Sequence, residues 1–266
     1  MPLRGDAAAW EKAVRTIRDT WLIFDRSLTL SLRNPVWVIM GILQPILYLL
    51  LFGPLLTNIA RMPGFPPGGA FNVFVPGLLV MTALFGSAFV GFGLCDEMRE
   101  GVVERMTVTP MSRVAMLVGR SLRDVVLLLG QGLILVVLAI PFGLEINLGG
   151  VAVAFAMLAV IGLMMAPVSY TLALVLKSED SLAPVVNGLA LPLLLLSGVM
   201  LPMSLAPDWL QTVAKFNPLF HAVSAIRALF NANYGDSEIV VGLVLLFVLA
   251  FATIALGARS FSRSAE

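Results

Sequence analysis

Residues 96–113 read DEMREGVVERMTVTPMSR, and seven of these eighteen residues are Asp, Glu or Arg. Long apolar runs lie on both sides of this charged island, in a chain of 266 residues that is 59% hydrophobic and only 12% charged. Soluble domains are usually about half apolar, so this composition indicates a membrane protein. The net charge of +1 predicts no general attraction to nucleic acid.

Six apolar stretches are long enough to form helices across the roughly 30 Å hydrocarbon core of a bilayer. Backbone polar groups in lipid must be hydrogen-bonded within their own segment, which favours helices throughout. The predicted spans are 35–57, 72–94, 116–140, 149–176, 182–201 and 238–258. The predicted fold is an all-α polytopic membrane protein in which residues 35–266 form one six-span domain.

The basic residues predict the orientation of these spans, because loops rich in Lys and Arg stay on the cytoplasmic side. Fourteen of the seventeen lie in the N-terminal segment, the island and its continuation, the loop after the fourth span, and the tail. The other three are Arg61, Lys215 and Arg227. Both termini and the island are therefore predicted to be cytoplasmic. The excess of Arg over Lys is typical of GC-rich bacterial genomes, so we expect a bacterial cytoplasmic membrane.

The N-terminal segment, residues 1–34, carries one apolar stripe at helical spacing. The stripe consists of Trp10, Val14, Ile17, Trp21, Phe24 and Leu28. Two Trp residues on such a stripe suit the boundary between lipid headgroups and acyl chains. We interpret the segment as an amphipathic helix lying in the inner interface; the alternative is a helix packed on a soluble partner.

Residues 202–230 are too apolar for a free loop, and their helices are too short to cross a membrane. The first helix is predicted to begin at Pro207. Its apolar residues are Trp209, Val213 and Phe216. Asn217 and Pro218 are typical of an N-cap followed by proline at the first helical position. The second helix is predicted to bury Leu219, Val223, Ile226 and Phe230. We expect a pair of external helices that re-enter the outer leaflet.

Signals for catalysis are weak. The chain has no G-x-x-x-x-G-K-[ST] phosphate-binding loop, and no Cys/His cluster with metal-ligand spacing. His221 is the only histidine and is followed by Ser224, so an intramembrane Ser–His hydrolase is an alternative. Neighbours on one helix rarely reach nucleophile–base geometry. We therefore predict that this chain is not an enzyme and itself binds no metal or cofactor.

Uncharged small and polar residues within the spans have two interpretations each. Ala83, Ser87, Gly91 and Cys95 recur every four residues and predict a close helix–helix contact, either within the chain or across a dimer. Gln44, Asn187 and Ser197 lie in mid-span and either line a path or bridge helices.

The island contains two linked patterns, Glu97-x-x-Glu100-Gly101-x-x-Glu104-Arg105 and Thr109-Pro110-x-Ser112-Arg113. A later region reads Leu196-Ser197-Gly198, Pro202, Pro207-x-Trp209-Leu210 and Asn217-Pro218-Leu219, with Arg227 after it. In order and distance, both regions resemble signatures of the ABC type-2 export permeases, most closely the daunorubicin-resistance and multidrug-export branch. The resemblance is nearly full-length. It departs at Phe220-His221, where many relatives have a Thr-Tyr-like pair.

This resemblance implies a permease subunit that works with two separate cytoplasmic ATPase subunits, which would bind the ATP and Mg. It also implies a second permease, identical or paralogous. The segment 96–113 would form a coupling helix that docks on the ATPase, and the N-terminal helix would join that contact. Substrates of such permeases are hydrophobic drugs, lipids or lipid-linked glycans.

The island itself also predicts a compact helical elbow. Glu97, Glu100 and Glu104 would lie near one face of a helix, Gly101 would permit a bend, and Pro110 would end the helix before it. The alternative is a solvated loop.

Our main hypothesis is export of a hydrophobic or amphipathic drug or lipid, and the alternative cargo is a lipid-linked glycan or polymer. The candidate coupling residues are Glu97, Glu100, Gly101, Glu104, Arg105, Thr109, Pro110 and Arg113. The candidate substrate-path residues are Gln44, Phe52, Phe85, Asn187 and Ser197. The candidate residues of the external helices are Trp209, Asn217, Pro218 and Arg227, and those of the interfacial helix are Trp10 and Trp21.

Overall fold

The computed structural model describes residues 3–33, 35–59, 69–107 and 112–263. Regular structure in these ranges is helical throughout, which confirms the predicted all-α class. The α-helices are α1 (Leu3–Arg33), α2 (Pro35–Ile59), α3 (Gly69–Ala88), α4 (Val90–Arg99), α5 (Val102–Thr107), α6 (Arg113–Ala139), α7 (Leu148–Leu176), α8 (Glu179–Leu195), α9 (Asp208–Ala214), α10 (Pro218–Phe230) and α11 (Ser237–Arg263). Two short 3-10 helices, Ile140–Phe142 and Met203–Leu205, follow α6 and precede α9.

Four helical stretches of the described chain are long and apolar enough to cross a membrane. They are Gly69–Arg99, Val114–Phe142, Leu148–Leu176 and Ser237–Ser260. The predicted second, third, fourth and sixth spans fall on these stretches. The protein is therefore a multi-pass helical membrane protein.

The predicted first and fifth spans fall on α2 and α8, which have 25 and 17 residues. The predicted C-terminal boundary of the fifth span, residue 201, is wrong, because α8 already ends at Leu195. Gly198 has a φ of +71°, a left-handed conformation that glycine adopts without steric penalty. The chain therefore leaves the helix here, and residues 196–201 connect α8 to the short helices that follow.

The core of the molecule lies where α3 and α7 meet. In the most apolar part of the stretch that contains α3, 78% of the residues are buried. In the most apolar part of α11, only 22% of the residues are buried. Leu78 and Leu84 of α3 pack in one buried cluster with Met157 and Ile161 of α7. Since α11 leaves side chains such as Phe251 exposed, it forms an outer wall suited to lipid or to another subunit.

The small-residue stripe on the second span makes its close contact within the chain. The backbone N–H of Gly91 donates to Ser169 Oγ of α7 at 2.9 Å, and that hydroxyl donates to the carbonyl oxygen of Ala88 at 2.6 Å. A Cβ added at Gly91 would lie 2.7 Å from the carbonyl oxygen of Ser169. Only glycine therefore permits α4 to lie this close to α7.

The two short helices between α8 and α11 correspond partly to the prediction. Asn217 caps α10 by accepting from the backbone N–H of Leu219 at 3.0 Å, and Pro218 is the first helical residue, as predicted. The four residues predicted to be buried on this helix are buried: Leu219, Val223, Ile226 and Phe230. The prediction that α9 continues through Phe216 is wrong. α9 ends at Ala214, whose carbonyl oxygen accepts from the N–H of Asn217, and Phe216 is 87% exposed.

Candidate functional site

The charged island forms an elbow at the end of the second span. α4 ends at Arg99, and the backbone N–H groups of Glu100 and Gly101 donate to the carbonyl oxygens of Asp96 and Met98. Gly101 has a φ of +69°, which turns the chain into the six-residue helix α5. The helix is therefore interrupted between Glu97 and Glu104, so the three glutamates do not share one continuous helical face. The physical reason is the left-handed turn, which glycine tolerates.

The candidate coupling residues occupy different surroundings. Glu97 points inward and pairs with Arg120 of α6, while Glu100 and Arg105 are exposed. Glu104 belongs to α5 and Arg113 begins α6, but their side chains lie outside the described part. Thr109 and Pro110 also lie outside the described residues. The docking role of all eight residues stays a prediction.

Behind the elbow lies a group of buried and half-buried charged side chains with one tyrosine, which we call the ionic cluster. Its members are Glu97, Arg120, Arg123, Asp124 and Tyr170. Arg123 forms an ion pair with Asp124 at 2.7 Å and donates to the hydroxyl of Tyr170 at 3.1 Å. The Tyr170 hydroxyl donates to the other Asp124 oxygen, and Arg120 donates to Glu97, both at 2.5 Å. The side chains of Arg120 and Asp124 are about 5% exposed.

Arg123 and Asp124 lie within the predicted third span, and no functional role was predicted for them from the sequence. The available signal was their spacing with Arg120. Charges at i, i+3 and i+4 share one helix face, and a charged face on an apolar helix must be paired. The partners on α4 and α7 are distant in sequence, so only the packing of helices identifies them.

Helix α1 packs on α6 beside this cluster. Ser31 of α1 accepts a hydrogen bond of 2.8 Å from Arg123. Ile23 is buried, and a Cβ added at Gly119 of α6 would meet the backbone of Thr20. The predicted lipid-facing residues Val14, Ile17 and Trp21 are exposed, Trp21 by 65%, and Trp10 has no described side chain. One face of α1 thus docks on the protein while its aromatic face remains uncovered.

The candidate substrate-path residues are not gathered at one place. Gln44 and Phe52 lie exposed on α2, and Phe85 of α3 is half-buried and stacks on Phe89 at 6.1 Å. Asn187 of α8 is half-buried and donates to the carbonyl oxygen of Ala183 within its own helix. Ser197 is 1% exposed and donates to the carbonyl oxygen of Leu194, which favours a structural role for its hydroxyl.

The opposite end of the molecule is organised by Arg227 and by asparagines. Arg227 donates to the carbonyl oxygens of Val73 at 2.8 Å and Gly198 at 2.7 Å. Asn72 accepts from the N–H of Glu145 at 3.0 Å and donates to Asn231 at 3.4 Å. These contacts join the start of α3, the loop between α6 and α7, and α10. Trp209 of α9 is 67% exposed.

A cleft with a volume of about 820 Å³, lined by both polar and apolar side chains, lies among these segments. Its carboxamide side chains are Asn72, Asn147, Gln211, Asn231 and Asn233. Its charged side chains are Glu145, Lys215, Arg227 and Asp236. Acidic and basic groups are balanced, so the cleft suits neutral, hydrogen-bonding groups better than ions.

His221 does not form the pair that a Ser–His hydrolase needs. Its Nδ1 lies 2.7 Å from Glu238 Oε2, and its Nε2 lies 3.0 Å from the carbonyl oxygen of Lys215. Both ring nitrogens are therefore engaged away from Ser224. In the described part of the chain, no group of three or more His, Cys, Asp and Glu side chains could hold a metal ion.

Long apolar helices interrupted by a charged elbow define a multi-pass helical membrane protein. A family model described as "ABC-2 type transporter" matches residues 18–231, and this chain belongs to that family. The resemblance suggested by the island and the later motif is thus confirmed. Members of the family are the transmembrane permease subunits of ABC transporters. These subunits lack an ATP site of their own, so membership of the family implies an ABC ATPase partner.

Several relatives match most of the chain, among them the following two. It is 30% identical over 217 residues to the "Putative transport permease ycf38" of Cyanophora paradoxa, covering 81% of this chain and 75% of that protein. It is 27% identical over 221 residues to the "Daunorubicin resistance ABC transporter permease protein DrrB1" of Streptomyces coeruleorubidus, covering 79% of this chain and 74% of that protein.

Proposed function

We propose that this chain is the permease of an ATP-driven exporter that moves hydrophobic or amphipathic substrates, a drug or a lipid, out across a bacterial cytoplasmic membrane. The observation that carries the proposal is membership of the ABC-2 family together with a relative named for daunorubicin resistance. Two separate ATPase subunits would bind ATP and Mg. A second permease, identical or paralogous, would complete the path among membrane lipids.

We infer six crossings with both termini on the cytoplasmic side. Ion pairs and hydrogen bonds group Ser31, Glu97 and Glu179 at one end of the molecule. Others group Asn72 and Glu145 at the opposite end. This grouping supports the orientation derived from the basic residues, because every segment at the first end was assigned to the cytoplasm.

The elbow is the proposed contact with the ATPase. Glu100 and Arg105 are exposed there, and α4 continues directly into the core helix α3 with a single break at Phe89. An element that touches a partner and is continuous with the core can be biased by both, which is what coupling requires. The uncovered aromatic face of α1 would rest in the adjacent membrane interface.

The test is co-expression of the permease with its candidate ATPase, followed by purification through a tag on the permease. We expect the ATPase to co-purify, and a drug or lipid substrate to stimulate ATP hydrolysis in reconstituted membranes. Glu100→Arg should weaken both, because it reverses an exposed charge at the elbow. Gly101→Val should do the same, because valine is strained at a φ of +69°.

The matched control is Glu145→Arg, the same charge reversal at an exposed position of the opposite end. It should leave ATPase binding unchanged. A wild-type permease that neither binds an ATPase nor responds to any substrate would contradict the function. If both elbow substitutions leave binding and stimulation unchanged, the island is not the coupling element.

The alternative cargo is a lipid-linked glycan, which the carboxamide side chains of the cleft could bind. Carboxamides and balanced charges suit the hydroxyl groups of a sugar. Stimulation of ATP hydrolysis by a lipid-linked oligosaccharide, but not by the same lipid without the sugar, would support this alternative over drug or lipid export.

A further inference from the structure

The ionic cluster joins four helices that the sequence separates widely. Glu97 belongs to α4, Tyr170 belongs to α7, and the three remaining members belong to α6. Arg123 extends the connection to α1 through Ser31. Two carboxylates and two guanidinium groups cancel each other's charge, so the cluster is neutral as a whole. Such self-neutralisation is what permits four charged groups to lie in a mostly apolar surrounding.

Stability alone is a poor explanation for this arrangement. Replacing a buried ion pair by apolar side chains of similar volume is often neutral or stabilising, so buried pairs are weak evidence of a stabilising purpose. Ionisable groups inside a spanning segment are costly, and their presence marks function by default. The cluster lies directly behind the elbow, because Glu97 is only four residues from Gly101.

The two ion pairs of α4 differ in how firmly they connect it to neighbouring helices. α4 has a second ion pair, Arg99 with Glu179 of α8 at 3.2 Å, but the Arg99 side chain is 72% exposed. An exposed pair is screened by water and contributes little. The Glu97–Arg120 pair is largely shielded and is the stronger connection. Movement of α4 would therefore be passed to α6 and α7 more firmly than to α8.

We propose that Arg120 and Tyr170 are positioning residues for transport: with the rest of the ionic cluster, they lock α4 to α6 and α7 so that these helices and α1 move as one body when the elbow moves. This inference rests on the proposed function. It differs from coupling along the second span alone, in which α4 would carry the movement only into α3.

The first experiment separates positioning from stability. Glu97→Leu removes the carboxylate that pairs with the buried guanidinium of Arg120 and should lower the thermal unfolding temperature of the permease. The double variant Glu97→Leu/Arg120→Met removes both charges and should restore that temperature. Substrate-stimulated ATP hydrolysis in the assembled complex should nevertheless stay about tenfold below wild type in the double variant. Tyr170→Phe, which removes only the hydroxyl oxygen, should also lower substrate-stimulated ATP hydrolysis.

The control is Glu179→Gln, which removes the exposed pair at the same end and should leave stimulation within about twofold of wild type. Recovery of stimulation together with stability in the double variant would show that the cluster is only structural and overturn the proposal.

The second experiment needs no ATPase, so its result remains informative even when the proposed function is wrong. Spin labels at Gly93→Cys on α4 and Val175→Cys on α7, in a Cys95→Ala background, report the distance between the two helices in the full-length permease. Both positions are exposed, and a Cβ at Gly93 meets no atom within 4 Å. We expect a narrow distance distribution that broadens in the double variant and in Tyr170→Phe. Equal widths in all three proteins would overturn the mechanical link, whereas absent ATPase binding in wild type would contradict the proposed function instead.

Discussion

Arg227 of α10 donates a hydrogen bond of 2.7 Å to the carbonyl oxygen of Gly198, the residue at which the chain turns after α8. The same guanidinium donates to Val73 at the beginning of α3. One side chain thus connects the carbonyl group of Val73 in α3 with that of Gly198 in the turn after α8. This contact explains how a basic residue is accommodated among the apolar helices at this end of the molecule.

Arg227→Met should lower the free energy of unfolding by about 3 kcal/mol, because the charge-assisted hydrogen bonds to the carbonyl oxygens of Val73 and Gly198 are lost. Arg227→Lys should cost less, because lysine keeps the positive charge and can still donate a hydrogen bond, although its ammonium reaches fewer acceptors at once. Thermal unfolding in detergent measures both. Lys215→Met, which removes a positive charge from an exposed site, is the control. Equal losses of stability in Lys215→Met and Arg227→Met would contradict a stabilising role for the contacts of Arg227 with Val73 and Gly198.

Gly91→Leu should separate α4 from α7. The first side-chain atom would already lie 2.7 Å from the carbonyl oxygen of Ser169, and overpacking of this kind costs about 1–3 kcal/mol. Gly93→Ala is the matched control two residues away, where a Cβ meets open space. The unfolding temperature in detergent should fall for the first variant and not for the second. A tolerated leucine at 91 would mean that the two helices do not approach this closely in the membrane.

Single cysteines should establish the orientation. In a Cys95→Ala background, an impermeant thiol reagent applied to intact cells should label Glu145→Cys but not Glu100→Cys or Lys177→Cys. All three positions are exposed, so the difference reports the side of the membrane. Labelling at 100 and 177 should appear only after permeabilisation. Labelling at position 100 in intact cells would reverse the orientation.

Gln44→Leu and Asn187→Leu should alter the range of exported substrates more than the amount of protein in the membrane. Gln44 is exposed on α2, and Asn187 is only half-buried on α8, so both can meet a substrate. Ser197→Ala should instead lower stability by about 1 kcal/mol with the substrate range unchanged, because this hydroxyl is buried against Leu194. Export assays with several hydrophobic dyes, normalised to expression, measure the difference. An unchanged range in the Gln44/Asn187 double variant would remove both residues from the path.

His221→Gln should leave export within about twofold of wild type, because the contacts with Glu238 and the Lys215 carbonyl are structural. Complete loss of activity in a normally inserted variant would restore the hydrolase alternative.

Residue patterns alone determined the all-helical class, the family and most of the helix positions. Long apolar runs have few stable forms in lipid, so composition and length decide the element type. Local signals also placed the Asn217–Pro218 cap, because an N-cap involves only neighbouring residues. The end of α8 was misjudged, since Leu196 to Leu201 remains apolar while the backbone turns at Gly198.

Tertiary structure alone decided which distant residues meet. The ionic cluster depends on Glu97, Arg120 and Tyr170, which lie on three helices whose mutual rotation no local pattern encodes. The same holds for Gly91, whose contact could have lain in a dimer until α7 was placed against it. Hydrophobic patterning sorts residues into lipid-facing and interior positions. The pairing of polar groups inside the bundle is instead set by the close packing of whole helices.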